Sequence, residues 1–295
     1  MLFYISISIL ISLLIAGIAN FAPDLSLLDK FDAKRLGLGI VISLFLSLRG
    51  LKRKSLSFDG AIAAFFIGLL LFTINPPFGF ILIIFYLAGS AASKYKAAIK
   101  GTLEENVKHC REAPQVLACS LVLLGSAAAI RLNPLNLKEA CIIGLASMAC
   151  NLGDTLASEI GSAFSATPPI LITTFKRVPP GTNGGISPMG TLCSFLGGIL
   201  MGLSYYLLMQ LYPHDIAPFS FAQSVFIYGG LGGLFGSFID SIMGATCQAT
   251  WWNKDSKKIS SSRKGQLISG YAIFSNEAVN LISSLLTGLF FLLVV

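Results

Sequence analysis

Ala140-Cys141-Ile142-Ile143-Gly144-Leu145-Ala146-Ser147-Met148-Ala149-Cys150-Asn151-Leu152-Gly153-Asp154-Thr155-Leu156-Ala157-Ser158-Glu159-Ile160-Gly161 starts as an uncharged run and ends in two carboxylates. Its first part, Ala140 to Leu152, reads as a helix inside hydrocarbon that delivers Asp154 at its end. Comparable apolar runs recur along the chain, and they leave no room for a soluble domain of useful size. Composition agrees: 54% of residues are hydrophobic and 12% charged, with a mean hydropathy of +0.77, against roughly a quarter charged in soluble domains. The expected fold is an all-α polytopic transmembrane helical bundle, with residues 1–295 forming one membrane domain.

Working outward from that run, about nine spans are expected, some of them candidates for re-entrant segments. Leu2 to about Phe21 lacks a basic leader and a small-residue cleavage site, and so reads as a span and not a signal peptide. Leu36–Leu48, Asp59–Thr73 and Phe78–Gly89 follow, the last two split by the Asn75-Pro76-Pro77 turn. Val116–Ile130 precedes the opening run. Ser187–Leu211, Phe221–Thr250 and Asn276–Val295 come after it.

The loops after even-numbered spans hold Arg49, Lys52, Arg53, Lys54, Lys94, Lys96, Lys100, Lys108, Arg111, Lys176, Arg177, Lys254, Lys257, Lys258, Arg263 and Lys264, sixteen of the 21 basic residues. By the positive-inside rule that face is cytoplasmic, and so is the amino terminus. The net charge of +7 then reports membrane orientation, and no nucleic-acid partner is expected. The six cysteines have no zinc or disulfide spacing and read as small core residues. His109 and His214 lack partners at metal-ligand spacing and read as solvated loop residues.

Polar residues inside the spans gather toward the basic face. Asp59, Asp154, Ser187, Asn276, Glu277 and Asn280 sit at span ends, and Asp240 lies about ten residues inside the eighth, roughly 15 Å at 1.5 Å per residue. Ionisable groups are costly at that depth, so each is a functional-site candidate, and a shared aqueous pocket would account for them together. Asn151, Asp154 and Ser158 share one helix face, while Glu159 points elsewhere. Asn276, Asn280, Ser283 and Thr287 form a second stripe, suited either to a ligand or to hydrogen bonds between helices.

Lys176-Arg177-Val178-Pro179-Pro180-Gly181-Thr182-Asn183-Gly184-Gly185-Ile186-Ser187 brings two cations and a glycine-rich turn before a helix start. Such a turn suits an anion. Hard carboxylate oxygens suit Mg²⁺, and cations suit the phosphates that Mg²⁺ bridges. By contrast, Gly229-Gly230, Gly232-Gly233 and Gly236 read as close-packing positions.

Four blocks, Gly153–Gly161, Ile172–Gly185, Gly236–Thr246 and Asn276–Leu281, closely resemble the transmembrane protein 19 family. The segment Cys110–Cys119 keeps Arg111 and Gln115-Val116 of that pattern, with Glu112 and Cys119 where asparagines are expected. The family includes phytyl-phosphate kinases of plants and cyanobacteria. The Gly-Asp-x-x-Ala-x-x-x-Gly pattern also looks like that of CTP-dependent dolichol and phytol kinases and of CDP-diacylglycerol synthases. The resemblance implies a polyprenyl-phosphate kinase acting on an isoprenoid monophosphate in the lipid bilayer, with CTP or ATP as donor. On that reading Asp154 and Asp240 are the Mg²⁺ ligands, and Lys176 and Arg177 neutralise donor phosphates cradled by Thr182, Asn183 and Gly184. Ser187 belongs to the substrate site, and Asn276 and Asn280 orient the acceptor or complete the metal shell. The alternative is an ion-coupled transporter or lipid-handling protein using the same carboxylates, although the two halves show no internal repeat.

Overall fold

Turn signals in the sequence set the helix boundaries in the computed structural model, which describes residues 33–100, 110–132, 135–164, 167–253, 258–260 and 266–294. Helix α1 is Ala33–Lys52 and α2 is Phe58–Ile74, whose first turn is capped by the Ser57 hydroxyl accepting from Gly60 N at 3.1 Å. After Asn75, α3 runs Pro76–Lys100, and α4 is Ala113–Leu132. A reciprocal Asn136–Glu139 capping box opens α5, Leu137–Phe164. Ser187 and Pro188 together start α6, Pro188–Leu211, the proline losing nothing at a position whose N–H has no helical partner. Helices α7, Gln223–Thr246, and α8, Asn276–Val294, complete the bundle.

Six of these helices, α3 to α8, are long and apolar enough to cross a membrane, and α2 is a shorter apolar helix. The eight helices fall at the positions of the predicted second to ninth spans. The predicted first span, Leu2 to about Phe21, lies outside the described residues, as does His109.

The opening stretch is the axis of the bundle. Every residue from Ala140 to Gly153 on α5 is buried, with α4, α6, α7 and α8 packed around it. Contact between α5, α6 and α7 is close enough to exclude side chains. A Cβ at Gly198 would fall 2.2 Å from the Gly229 carbonyl oxygen, one at Gly233 2.4 Å from that of Ser194, and one at Gly153 3.0 Å from the Gly233 Cα. The glycines of the eighth span are therefore packing positions, as read from the sequence. Two stretches beside these contacts, Ala157–Gly161 in α5 and Gln223–Leu231 in α7, are wound as π-helix.

Two ends can be told apart by their ties. At one, Arg35 at the start of α1 forks onto Asp215 in the α6–α7 connection at 3.0 and 3.1 Å. Asn75 Nδ2 reaches the Asp215 carbonyl there at 2.6 Å. At the other, basic end, Leu56 pairs with Arg111, and Asn183 Nδ2 donates to Thr250 Oγ1 at 3.0 Å.

The polar segment Asn253 to Ser275, expected as a plain loop, carries part of a small antiparallel sheet instead. Strand β3, Thr250–Asn253, lies between β4, Lys258–Ser260, and β5, Gln266–Ser269. A two-residue hairpin pair, β1 Ile170–Leu171 with β2 Gly185–Ile186, holds the connection between α5 and α6.

Candidate functional site

Asp154 and Asp240 line one cavity of about 1100 Å³ at the basic end. Glycine packing brings them there: Gly153, one residue before Asp154, rests on the backbone of α6 and α7, and Gly236, one turn before Asp240, would place a Cβ 2.3 Å from that of Cys150 on α5. Helix α7 ends at Thr246 and not Thr250, so Asp240 lies six residues from its end, about 9 Å in depth and not the ~15 Å expected.

Asp240 is held by the stripe on α8. Ser283 Oγ donates to its Oδ2 at 3.1 Å, and the Asn280 amide, oriented to satisfy its neighbours, donates to the same oxygen at 3.1 Å and to the Asn276 carbonyl at 3.1 Å. Asn276 faces the cavity and accepts from Gln248 Nε2 at 3.3 Å. The stripe thus serves both readings. Asn276 lines the space, while Asn280 and Ser283 position a carboxylate from the neighbouring helix.

The glycine-rich turn supplies another wall, with Thr182, Asn183, Gly184 and Ser187 all lining the cavity. Gly184 has φ +76°, and a Cβ there would come 2.5 Å from that of Ala245 and 2.6 Å from the Ser241 carbonyl oxygen, so only glycine lets the turn rest on α7. Asn183 is tied to Thr250, which fixes the turn against the start of β3. Ser187 caps α6 by accepting from Gly190 N at 3.1 Å.

Lys176 and Arg177, predicted among these groups, do not line the cavity; they sit exposed on the hairpin beyond it. Asn151 turns away as well, donating to the Cys119 carbonyl on α4 at 3.0 Å. Glu159 is not among the lining residues, as its helical position implied. Asp59 is spent at the start of α4, accepting from Ala113 N at 3.1 Å. Sequence reading did not single out Ser237, Ser241 or Gln248, which also line the space; nothing in their spacing marks them, because polar uncharged residues recur throughout the spans.

The cavity is amphiphilic. Away from the carboxylates it is walled by Ile227, Leu231, Leu234, Phe235, Phe290, Phe291 and Val294, and Phe235 stacks on Phe290 with centroids 4.1 Å apart. Several of these side chains also reach the outer surface, Leu231 being 49% and Val294 63% exposed, so this wall borders the lipid-facing side of the bundle.

The family model described as integral membrane protein DUF92 matches residues 41–288, which include all four sequence blocks. This chain belongs to that family. Among the relatives of this DUF92 protein, Protein PGR of Arabidopsis thaliana is 33% identical over 273 residues, covering 86% of this chain and 94% of the relative. An uncharacterised membrane protein of Methanocaldococcus jannaschii is 31% identical over 257 residues, 86% and 92% of the two chains. Protein VTE6, chloroplastic, of Arabidopsis thaliana is 29% identical over 223 residues, 72% and 64%. No solved structure matches.

The donor set of this DUF92 protein fits a hard cation. Among the described residues no three His, Cys, Asp or Glu side chains cluster as a self-sufficient metal site. Two carboxylates with serine and asparagine oxygens nearby instead match the way Mg²⁺ is bound, through one or two carboxylates with water and substrate phosphate completing the octahedron.

Proposed function

We propose that this protein is an isoprenoid-phosphate kinase, transferring the terminal phosphoryl group of CTP or ATP to a polyprenyl monophosphate such as phytyl phosphate. The observation that carries the reading is one cavity with two carboxylates and a glycine-rich turn at its polar end and an aliphatic and aromatic wall at the other. Those are the two halves of an amphiphile with a phosphate head. The resemblance of the four sequence blocks to a family that includes phytyl-phosphate kinases points the same way.

In this reading an oxygen of the acceptor phosphate attacks the terminal phosphorus of the donor. The P–O bond to the bridging oxygen breaks, and the nucleoside diphosphate leaves with its electron pair. The acceptor oxygen is already anionic near neutral pH, so no strong general base is needed; positioning and charge neutralisation do the catalysis. Mg²⁺ held by Asp154 and Asp240 would supply charge neutralisation at the phosphates. Thr182, Asn183 and Gly184 cradle the donor, Ser283 and Asn280 fix Asp240, Asn276 orients the acceptor, and the wall from Ile227 to Val294 excludes water from the prenyl chain. By the positive-inside rule the polar end opens to the cytoplasm.

Purified protein in lipid nanodiscs, given labelled CTP or ATP with phytyl or geranylgeranyl phosphate, should form the diphosphate. Asp154→Asn and Asp240→Asn should each lower the rate by about 10²- to 10³-fold, the usual cost of removing a group that stabilises transition-state charge. Full activity in Asp154→Asn would end the assignment. Substrate flux across vesicles without nucleotide consumption would replace it with a carrier.

A further inference from the structure

The tip of the hairpin between α5 and α6 combines features that the cavity does not use. Ile172–Lys176 turn back on Leu171, whose carbonyl accepts from Phe175 N at 2.8 Å and whose N–H donates to the Lys176 carbonyl at 2.9 Å. This leaves Phe175 at φ +56°, a left-handed conformation that a bulky residue seldom adopts. It is 78% exposed; among the large hydrophobics of the described residues only Leu293 at the end of α8 is more so. Lys176 and Arg177 follow directly and are exposed too. A strained backbone that turns an aromatic outward beside two cations needs a partner that takes both.

The surroundings say which partner. Tyr95, at the basic end of α3, and Phe164, at the end of α5, are exposed and stack with centroids 5.8 Å apart. Exposed aromatics at helix ends mark the headgroup level of a bilayer, and basic residues beside them meet lipid phosphates. We propose that the tip is a membrane anchor: Phe175 enters the acyl boundary of the protein's own bilayer, and Lys176 and Arg177 engage anionic headgroups. Because the same connection runs on through Pro180–Ser187 into the cavity wall, the anchor ties the glycine-rich turn to the membrane surface. The charge of the leaflet then bears on the site. This inference does not depend on phosphoryl transfer.

Phe175→Trp tests it, because an exposed aromatic exchanged for another at the same backbone angle leaves packing intact; wild-type protein provides the background from Trp251 and Trp252. The protein is placed in vesicles of phosphatidylcholine, with or without phosphatidylglycerol, carrying brominated acyl chains. The added emission should be quenched, more strongly with phosphatidylglycerol present. That extra quenching should vanish in Phe175→Trp combined with Lys176→Gln and Arg177→Gln. A cation near an anionic surface is worth about fivefold in equilibrium, so losing two lowers the equilibrium constant for insertion by about 25-fold. Emission that brominated lipid leaves untouched in both membranes, or that CTP or ATP quenches instead, would overturn the anchor, the latter showing a nucleobase as the partner. Quenching that is indifferent to phosphatidylglycerol would remove the two cations from the proposal.

Discussion

Ser283 is a sharper probe of the site at the residue scale than either carboxylate. Its hydroxyl donates to Asp240 Oδ2, which Asn280 also reaches, so Ser283→Ala removes one of two donors without altering charge. If Asp240 acts as proposed, that change should lower the transfer rate by about tenfold or more, the weight of at least about 1.5 kcal/mol for a hydrogen bond to a charged group, and Ser283→Thr should restore part of it. Rate measurements over a Mg²⁺ titration check this, since a carboxylate held less firmly should need more metal for the same rate. The carboxylates were legible in the sequence because charge inside a span is costly and has to be explained. Ser283 was legible only as part of a polar stripe, since its pairing with Asp240 depends on how α7 and α8 face each other. Lys176 and Arg177 were read as site residues from their nearness in sequence to the glycine-rich turn. The turn at Leu171 carries them past the cavity, and no spacing rule reports that reversal.

Helices α5, α6 and α7 meet through backbone, which makes the glycines of this interface unequal to those elsewhere. Gly198→Ala would set a methyl group 2.2 Å from the Gly229 carbonyl oxygen, with no flexible side chain to give way. Gly125 on α4 has nothing within 4 Å of the same atom. Gly198→Ala should therefore lower the unfolding midpoint, by an overpacking cost of about 1–3 kcal/mol, while Gly125→Ala should leave it unchanged or raise it. Thermal unfolding followed by tryptophan fluorescence in detergent compares the two; equal midpoints would show that α5, α6 and α7 do not pack this closely. Glycine clusters announced close packing from the sequence, and α3 to α8 were found as helices because hydropathy alone marks them. The π-wound stretches were not announced, because they follow from how the backbones meet. Nor was the sheet around Trp251 and Trp252, whose partner strands β4 and β5 lie in a segment that the sequence marks only as polar.

Across the whole molecule the two ends do different work. The polar mouth of the cavity, the hairpin and the small sheet lie at the basic end, while the apolar wall runs along α8 to Val294. The far end is closed by Arg35, whose guanidinium grips both oxygens of Asp215, while Asn75 holds the Asp215 backbone and Tyr205 Oη donates to the Ala217 carbonyl at 2.9 Å. These ties connect α1, the α2–α3 turn and the α6–α7 connection, so they fix the outer helices to α6 from the side opposite the site. Arg35→Gln removes the ionic fork and leaves Asp215 half-buried with its charge. It should cost about 1.5–3 kcal/mol of stability, the range for hydrogen bonds to charged groups. Because the ties lie at the opposite end of the bundle from Asp154, the Michaelis constants for nucleotide and isoprenoid phosphate should stay at wild-type values in the protein that remains folded. An unfolding midpoint lowered together with unchanged constants is the expected pair of results. A shift in the isoprenoid constant alone would mean that the prenyl chain extends to the far end, and that Arg35 and Asp215 bound its length as well as holding the bundle together.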